Sequence, residues 1–169
     1  MSLAIRLASS VSSQRLRDLV VDNLTQMLGE GARPWDDMPG LHDGCLGAVD
    51  AHNELVVVSF DGEDASRALL NGLTCMEALS SELAAQLLSP YRKPARLLVL
   101  APTPPPGASL LQGSGALEWM TFQVLSVNGE FGLLLEAGAP RQRTLWVPRT
   151  PGPAETAPAP GEEELIQLA

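Results

Sequence analysis

Residues 44–65 read GCLGAVDAHNELVVVSFDGEDA, and this stretch decides the fold. Two short apolar runs, Cys45–Val49 and Leu55–Phe60, have the length and composition of strands. The segment between them, Asp50–Glu54, is made of residue types that favour turns. The stretch therefore predicts a β-hairpin.

A helix and a further strand are expected directly after this hairpin. Residues 64–88 place small and apolar side chains at helical spacing, with Asp64 as the natural cap. The run ARLLVLA at 95–101 is apolar almost throughout, which suits a strand covered on both faces, and the prolines after it end it. A hairpin, a helical crossover and a buried strand together predict a mixed sheet with helices packed on it.

Shorter elements are predicted on both sides of this centre. Ser12 or Ser13 is a natural cap for a helix that ends near Gly29. Asn128-Gly129 is a strong hairpin signal, because both turn positions tolerate a positive φ. The elements expected here are a helix over 13–30, a loop over 31–44, a short helix over 108–113, strands over 119–127 and 130–136, and an edge strand over 145–147. The predicted fold class is α/β, with a mixed central sheet flanked by helices in the order αββαβ(α)ββ.

Composition limits the classes of function. The chain has 169 residues, of which 45% are hydrophobic, so a packed core is expected and wholesale disorder is excluded. Its 20 acids and 11 bases give a net charge of -9, which disfavours a general affinity for nucleic acid. No apolar run approaches the ~20 residues of a membrane-spanning helix. The first 13 residues are too short and too polar for a secretory signal, so we expect a cytoplasmic protein that does not bind membranes.

The composition changes at Thr150. Residues 150–169 contain four prolines and four glutamates and no basic residue, which predicts a disordered, extended tail. We therefore expect one α/β domain over residues 1–149 and a Pro-rich acidic tail over 150–169. Since four of the 20 acids belong to the tail, the domain itself is only mildly acidic.

The hairpin, the helix after it and the strand that ends Ala101-Pro102 resemble the PD-(D/E)XK nuclease superfamily, in particular the RecB-like endonuclease domain of mismatch- and branch-cleaving enzymes. In that family a Gly-x-x-Asp strand leads into an apolar strand that ends Glu-x-Lys. A helix and a buried strand ending Ala-Pro follow. The resemblance covers roughly residues 44–127 and implies a restriction-endonuclease-like core.

The resemblance also implies where catalytic groups would lie, and this chain lacks all of them. The family uses two carboxylates to hold Mg²⁺ and a lysine to help orient the attacking water. The first acid falls at Gly47, the glutamate at Ser59 and the lysine at Asp61, and the glutamine of the following helix falls near Gly72. The implied domain is a nuclease scaffold whose catalytic motif is lost and which carries no cofactor.

Relocated carboxylates are the alternative to this loss. A cation site built from Asp50, Asp61 and Glu63 is conceivable, but acids at turns and helix starts need no such role. His42 and His52 both lie in predicted turns and are weak indications of zinc or acid–base chemistry. The two cysteines, ungrouped with other ligands, predict buried thiols in a reducing compartment. We therefore expect no metal site.

Positive charge is concentrated at two places, each with an aromatic neighbour. Such groups stack on bases or anchor protein interfaces, and on an acidic chain a protein partner is favoured. The candidate binding residues are Arg92, Lys93, Arg96, Arg141, Arg143 and Trp146.

Three functions remain open at this point. The first is a non-catalytic nuclease-like domain that acts through protein contacts, with a strand edge over 130–147 and the acidic tail as its surfaces and another protein or a second copy as its partner. The second is a small acidic chaperone or adaptor of the secretion type, which the size and acidity also suit. The third is a metal-dependent nuclease with relocated carboxylates.

Overall fold

A mixed eight-stranded sheet with helices on both faces forms the centre of the computed structural model, which describes residues 4–8, 10–81, 95–111, 115–137 and 144–148. The predicted fold class is confirmed. The strands are β1 (Ile5–Leu7), β2 (Arg33–Pro34), β3 (Cys45–Val49), β4 (Leu55–Phe60), β5 (Arg96–Ala101), β6 (Leu117–Val127), β7 (Glu130–Ala137) and β8 (Thr144–Pro148). The helices are α1 (Ser13–Asp22), α2 (Leu24–Leu28), α3 (Ala65–Leu79) and α4 (Ala108–Leu111). The sheet order is β2-β3-β4-β5-β6-β7-β8, and β1 pairs with β6. The expected tail over 150–169 lies outside the described residues.

The central hairpin forms as predicted, with β3 and β4 antiparallel. Asp50 Oδ1 accepts hydrogen bonds from the backbone N–H groups of His52 at 2.8 Å and Glu54 at 2.9 Å. Asn53 takes a positive φ of 62°, a conformation that asparagine tolerates better than most residues. The turn residues therefore close the hairpin through their own side chains.

Helix α3 carries the chain from β4 to β5, and these two strands are parallel. Asp64 caps the helix by accepting from the N–H groups of Ser66 at 2.8 Å and Arg67 at 3.2 Å. The sequence predicted this helix as far as residue 88, but α3 ends at Leu79 with Ser80 as its cap, and residues 82–88 lie outside the described residues. A sheet without this parallel pair would have excluded the resemblance to nucleases. None of the helices in the described ranges is long and apolar enough to cross a bilayer.

Side chains of the central strands alternate between two helix layers. Residues such as Val56 join one buried cluster with Leu19 of α1, whereas Val57 joins a second cluster with Ala68 of α3. Every residue of β4 and β5 is buried except Arg96, which is partly exposed. The near-continuous apolar runs seen in the sequence follow from this double coverage.

The helix predicted over 13–30 is two helices that meet at Asn23. The side-chain amide of Asn23 donates to the carbonyl of Leu19 at 2.7 Å, and its backbone lies at φ -111° and ψ 11°. An amide side chain that bonds the preceding turn competes with the helical backbone, which interrupts the helix there. The predicted end near Gly29 is confirmed, since Gly29 adopts a φ of 96°.

Strand β6 changes its neighbour along its length. Its first part, Leu117–Thr121, pairs with β5, and its last part, Leu125–Val127, pairs antiparallel with β1. The Ala8 N–H extends the second pairing by donating to the carbonyl of Val124 at 2.9 Å. Among the described residues, no strand lies beside β6 on this side at 122–123.

The hairpin of β6 and β7 forms around Asn128 and Gly129, which have φ values of 53° and 92° as the sequence predicts. The predicted edge strand over 145–147 is β8, and it pairs with β7. Strand β7 therefore has neighbours on both sides. The expected strand edge over 130–147 was wrong in its first part, because β7 is an inner strand and β8 is the last of the described strands on this side.

Candidate functional site

The positions that the resemblance assigns to metal ligands lie against the core on the α3 side of the hairpin. Gly47 has no room for a side chain: a Cβ there would lie 2.6 Å from the carbonyl oxygen of Trp35 and 2.7 Å from Cβ of Met38. The Trp35 N–H also donates to the carbonyl of Gly47 at 2.8 Å, which holds this loop against β3. A carboxylate does not fit at this position without displacing backbone atoms.

The other two core positions of the motif are packed in the same way. Ser59 is fully buried, and its hydroxyl donates to the carbonyl of Ala68 in α3. A Cβ on Gly72 would lie 2.6 Å from Cδ1 of Leu97 and 3.0 Å from Cβ of Ser59. Helix α3 therefore packs directly on β4 where the family would place its metal ligands. We call Gly47, Ser59 and Gly72 the packed face.

Two thiols border the packed face. The hairpin register places Cys45 opposite Ser59, while Gly47 lies opposite Val57. Cys45 and Cys75 are both buried and unoxidised, as the sequence predicts. Burial raises the pKa of the Cys45 thiol to about 12, and its hydrogen bond with Cys75 acts in the same direction. A thiol with this pKa is protonated at neutral pH and is a poor nucleophile.

Asp61, at the lysine position of the motif, follows β4. Its carboxylate pairs with the guanidinium of Arg67, with 3.0 Å between Oδ1 and Nη2, and accepts the N–H groups of Glu63 and Asp64 at 2.8 Å each. Burial raises the pKa of Asp61, but these hydrogen bonds and the positive charge of Arg67 outweigh it and hold the pKa below its usual value. The carboxylate is therefore ionised at neutral pH, and both its oxygens already have partners.

Asp50 lies at the other end of β4, in a buried ion pair. Its Oδ2 accepts from Nη2 of Arg96 at 2.8 Å, and Nη1 of Arg96 donates to Glu118 at 3.0 Å. Burial raises the pKa of Asp50, but the N–H groups of Glu54 and His52 and the guanidinium of Arg96 hold it below its usual value. Arg96, one of the candidate binding residues, joins three segments of the sheet through these contacts.

The cation site considered for Asp50, Asp61 and Glu63 does not form. Asp50 precedes β4 and Asp61 follows it, and a strand of this length spans roughly 20 Å. Ligands of one hard cation lie within about 2–3 Å of it. No group of three or more His, Cys, Asp or Glu residues in the described ranges is arranged to hold a metal ion. His42 and His52 are likewise separated by the length of β3.

The other candidate binding residues fall in two segments of the sequence, 92–93 and 141–146. Arg92, Lys93, Arg141 and Arg143 lie outside the described residues. Trp146 lies in β8, where it is the register partner of Leu134 in β7. The expected basic and aromatic surfaces therefore stay predictions.

Sequence reasoning missed a cavity at the edge of the sheet where β4 and β5 end. It has a volume of about 460 Å³ and lies between the first turns of α1 and α3. Leu16 and Phe60 line it on the core side, and Asp43 and Glu63 line it on the outer side. A signal for it was present in the sequence, because acids flank the hairpin before β3 and after β4, and these positions meet at one edge of an antiparallel pair.

Comparison with known proteins identifies no family. No protein-family model matches the chain, and no curated protein matches it. Among solved structures, the chain is similar to a repair endonuclease from Pyrococcus abyssi, with 19% identity, a TM-score of 0.46 and coverage of 68% of this chain and 48% of that one. It is also similar to EndoMS in its apo form, with 19% identity, a TM-score of 0.44 and coverage of 66% and 46%. The chain thus spans about half the length of these proteins.

Proposed function

We propose that the chain is a cytoplasmic nuclease-like domain that does not cut nucleic acid and acts through contact with a protein partner. The observation that carries this proposal is the packed face. Metal-dependent hydrolysis of a phosphodiester needs carboxylates around a cation. Here the two carboxylate positions are Gly47, which has no room for a side chain, and Ser59, whose buried hydroxyl is bonded to α3. The glutamine position is Gly72, where a Cβ would lie 2.6 Å from Leu97.

The charges around the hairpin support a protein partner over nucleic acid. Asp61 has a negative charge where the family has a positive one, and the chain carries a net charge of -9. The nearby guanidinium groups of Arg67 and Arg96 are both in ion pairs with hairpin acids. Phosphate binding requires available cationic groups, and these two have carboxylate partners already.

A cleavage assay tests the non-catalytic part of the proposal. The full chain is incubated with Mg²⁺ or Mn²⁺ and with mismatched duplex, branched or single-stranded DNA. We expect no cutting above that of buffer. Cation-dependent cutting that is lost in Asp61→Ala and retained in the matched surface variant Glu77→Ala would overturn the proposal and favour relocated carboxylates.

In the described part of the chain, β8 has a neighbouring strand on one side only, and its other edge supports contact with a protein, including a second copy of the chain. An edge strand offers main-chain donors and acceptors to another strand. Light scattering across a range of concentrations measures the mass in solution, and a mass twice that of the chain identifies a homodimer. Capture with the full chain from its native host identifies other partners, and one dominant secreted client would favour the chaperone alternative.

A further inference from the structure

Three adjoining cavities form a groove along the edge of the sheet at which β4 and β5 end. The cavity of about 460 Å³ shares four lining residues, Leu16 and Glu63 among them, with a second of about 220 Å³. A third cavity of about 80 Å³ shares Phe122 with the second and reaches Glu136 on β7. We call these cavities together the carboxyl-edge groove. Its course from the first turns of α3 to β7 suits an elongated ligand.

The floor of the groove is apolar. Leu16, Phe60 and Phe122 line it with only 3–4% of their surface exposed. Leu7 on β1 stands at its border and is 65% exposed, although it is a large apolar side chain. Apolar side chains of a ligand would be buried against this floor, and Leu7 would be covered with them.

The outer side of the groove near α3 is negatively charged. In the described part of the chain, the carboxylates of Asp43 and Glu63 take part in no ion pair. Arg67 also lines this cavity and pairs with Asp61, so the three carboxylates of Asp43, Asp61 and Glu63 outnumber one guanidinium. This end of the groove therefore attracts a basic side chain and repels phosphate.

Main-chain groups of β6 border the same groove. Strand β5 pairs with β6 up to Thr121, and β1 pairs with it from Leu125 onward. Phe122 and Gln123 lie in this interval and line two of the three cavities. An interval of two residues offers a peptide one or two main-chain hydrogen bonds, and the side chains of the peptide would enter the pockets on either side.

We infer that the carboxyl-edge groove binds an extended peptide segment of a partner protein, with apolar side chains over Leu16 and Phe122 and an arginine or lysine beside Glu63. The inference rests on the proposed protein-contact function and adds to it the site and the chemistry of the partner.

Two sets of immobilised peptides test the inference. Each peptide has about nine residues, which gives about 30 Å of extended chain, and alternates apolar with small polar residues. One set carries a central arginine or lysine, and the matched set carries glutamate at the same place. We expect the full chain to bind the basic set at least about tenfold more tightly than the acidic set at low salt, with the difference falling as salt rises.

Charge reversal in the groove provides the variants. Asp43→Lys and Glu63→Lys change exposed side chains, so both proteins are expected to fold, which circular dichroism checks. Together they should weaken binding of the basic set about tenfold. The control Glu77→Lys makes the charge change of one of these substitutions on the exposed surface of α3, away from the groove, and should leave binding within about twofold.

Several results would overturn the inference. The first is equal binding of the two peptide sets, and the second is no binding up to about 1 mM peptide. The third is an equal loss of binding in the groove variants and the control variant. Duplex DNA that binds in the groove and displaces the peptides would instead identify a nucleic-acid site. Failure of this inference can be told apart from failure of the proposed function. Cation-dependent cutting would overturn only the non-catalytic role. A protein partner that binds only at β8 would overturn only the inference about the groove.

Discussion

The two ends of β4 carry the same kind of ion pair in different surroundings. At the hairpin end, the side chains of Asp50 and Arg96 are 1% and 22% exposed. At the carboxyl end, those of Asp61 and Arg67 are 11% and 56% exposed, and an open groove lies beside them. The first pair is part of the core, and the second lies at the surface. The comparison indicates that the hairpin end contributes to stability and that the carboxyl end is available for binding.

The largest expected effect is on stability, and it compares a substitution at a tightly packed glycine with one at an exposed glycine. Gly47→Asp places a charged side chain where a Cβ alone would already lie 2.6 Å from a backbone oxygen. We expect a loss of about 4 kcal/mol or more in the free energy of unfolding, measured by urea denaturation. The control Gly62→Ala adds a Cβ at the open end, where the nearest atom would be 3.7 Å away, and should change stability by about 0.5 kcal/mol or less. Similar losses of unfolding free energy in the two variants would show that the two positions are equally packed.

The next effect compares the two ion pairs directly. Asp50→Ala removes a buried carboxylate that accepts three hydrogen bonds. Among the described residues, Arg96 then keeps Glu118 as its carboxylate partner. We expect a loss of about 2–3 kcal/mol in the free energy of unfolding. Asp61→Ala should lose less, because water and salt screen a pair at the surface. An equal or larger loss for Asp61→Ala would show that the carboxyl end is structural as well.

A smaller effect is expected on the packed face. Ser59→Ala removes the hydroxyl that donates to the carbonyl of Ala68 without adding volume. The expected loss is about 1 kcal/mol in the free energy of unfolding. The control Ser66→Ala, on the exposed side of α3, should cost less. A gain of cation-dependent cutting in either variant would contradict the proposed function.

The smallest effect is a dependence of stability on pH. The folded pKa of Asp50 lies below its usual value of 3.8, so its contribution is complete above that value and is lost as pH falls through the folded pKa. Asp50→Asn removes this titration, and its stability should fall less steeply below pH 3.8 than that of the unmodified chain. Denaturation midpoints measured across acidic pH check the slope. Parallel slopes for the two proteins would mean that Asp50 has the same pKa in the folded and unfolded states.

Local signals in the sequence were sufficient for the central elements. The turn Asp50–Glu54 and the turn Asn128-Gly129 were predicted correctly because their residues determine their own backbone conformation. The cap at Asp64 and the double coverage of β5 were also predicted from neighbouring residues. The break at Asn23 was missed, since one amide among helically spaced leucines gives little signal against the periodic pattern.

Features that join distant segments were not predictable in this way. The ion pair of Asp50 and Arg96 connects residues 46 positions apart, so the sequence suggested a turn for one and a binding role for the other. The distance that keeps Asp50 and Asp61 from sharing one cation became apparent only once the length of β4 between them was known. The carboxyl-edge groove combines β1, α1, the loop after β4 and β6, and no single stretch of sequence contains its pattern.

The pairing of β1 with β6 has a consequence for the order of folding during synthesis. Ala4 and Asn128, which are hydrogen-bonded at the end of this pairing, are 124 positions apart. On the ribosome, β1 is made before any of its partner, whereas the hairpin of β3 and β4 can form as soon as residue 60 has emerged. Long-range pairing of this kind is slow compared with local contacts. Strand β1 precedes the other described strands in the sequence but is therefore expected to be among the last to join the sheet.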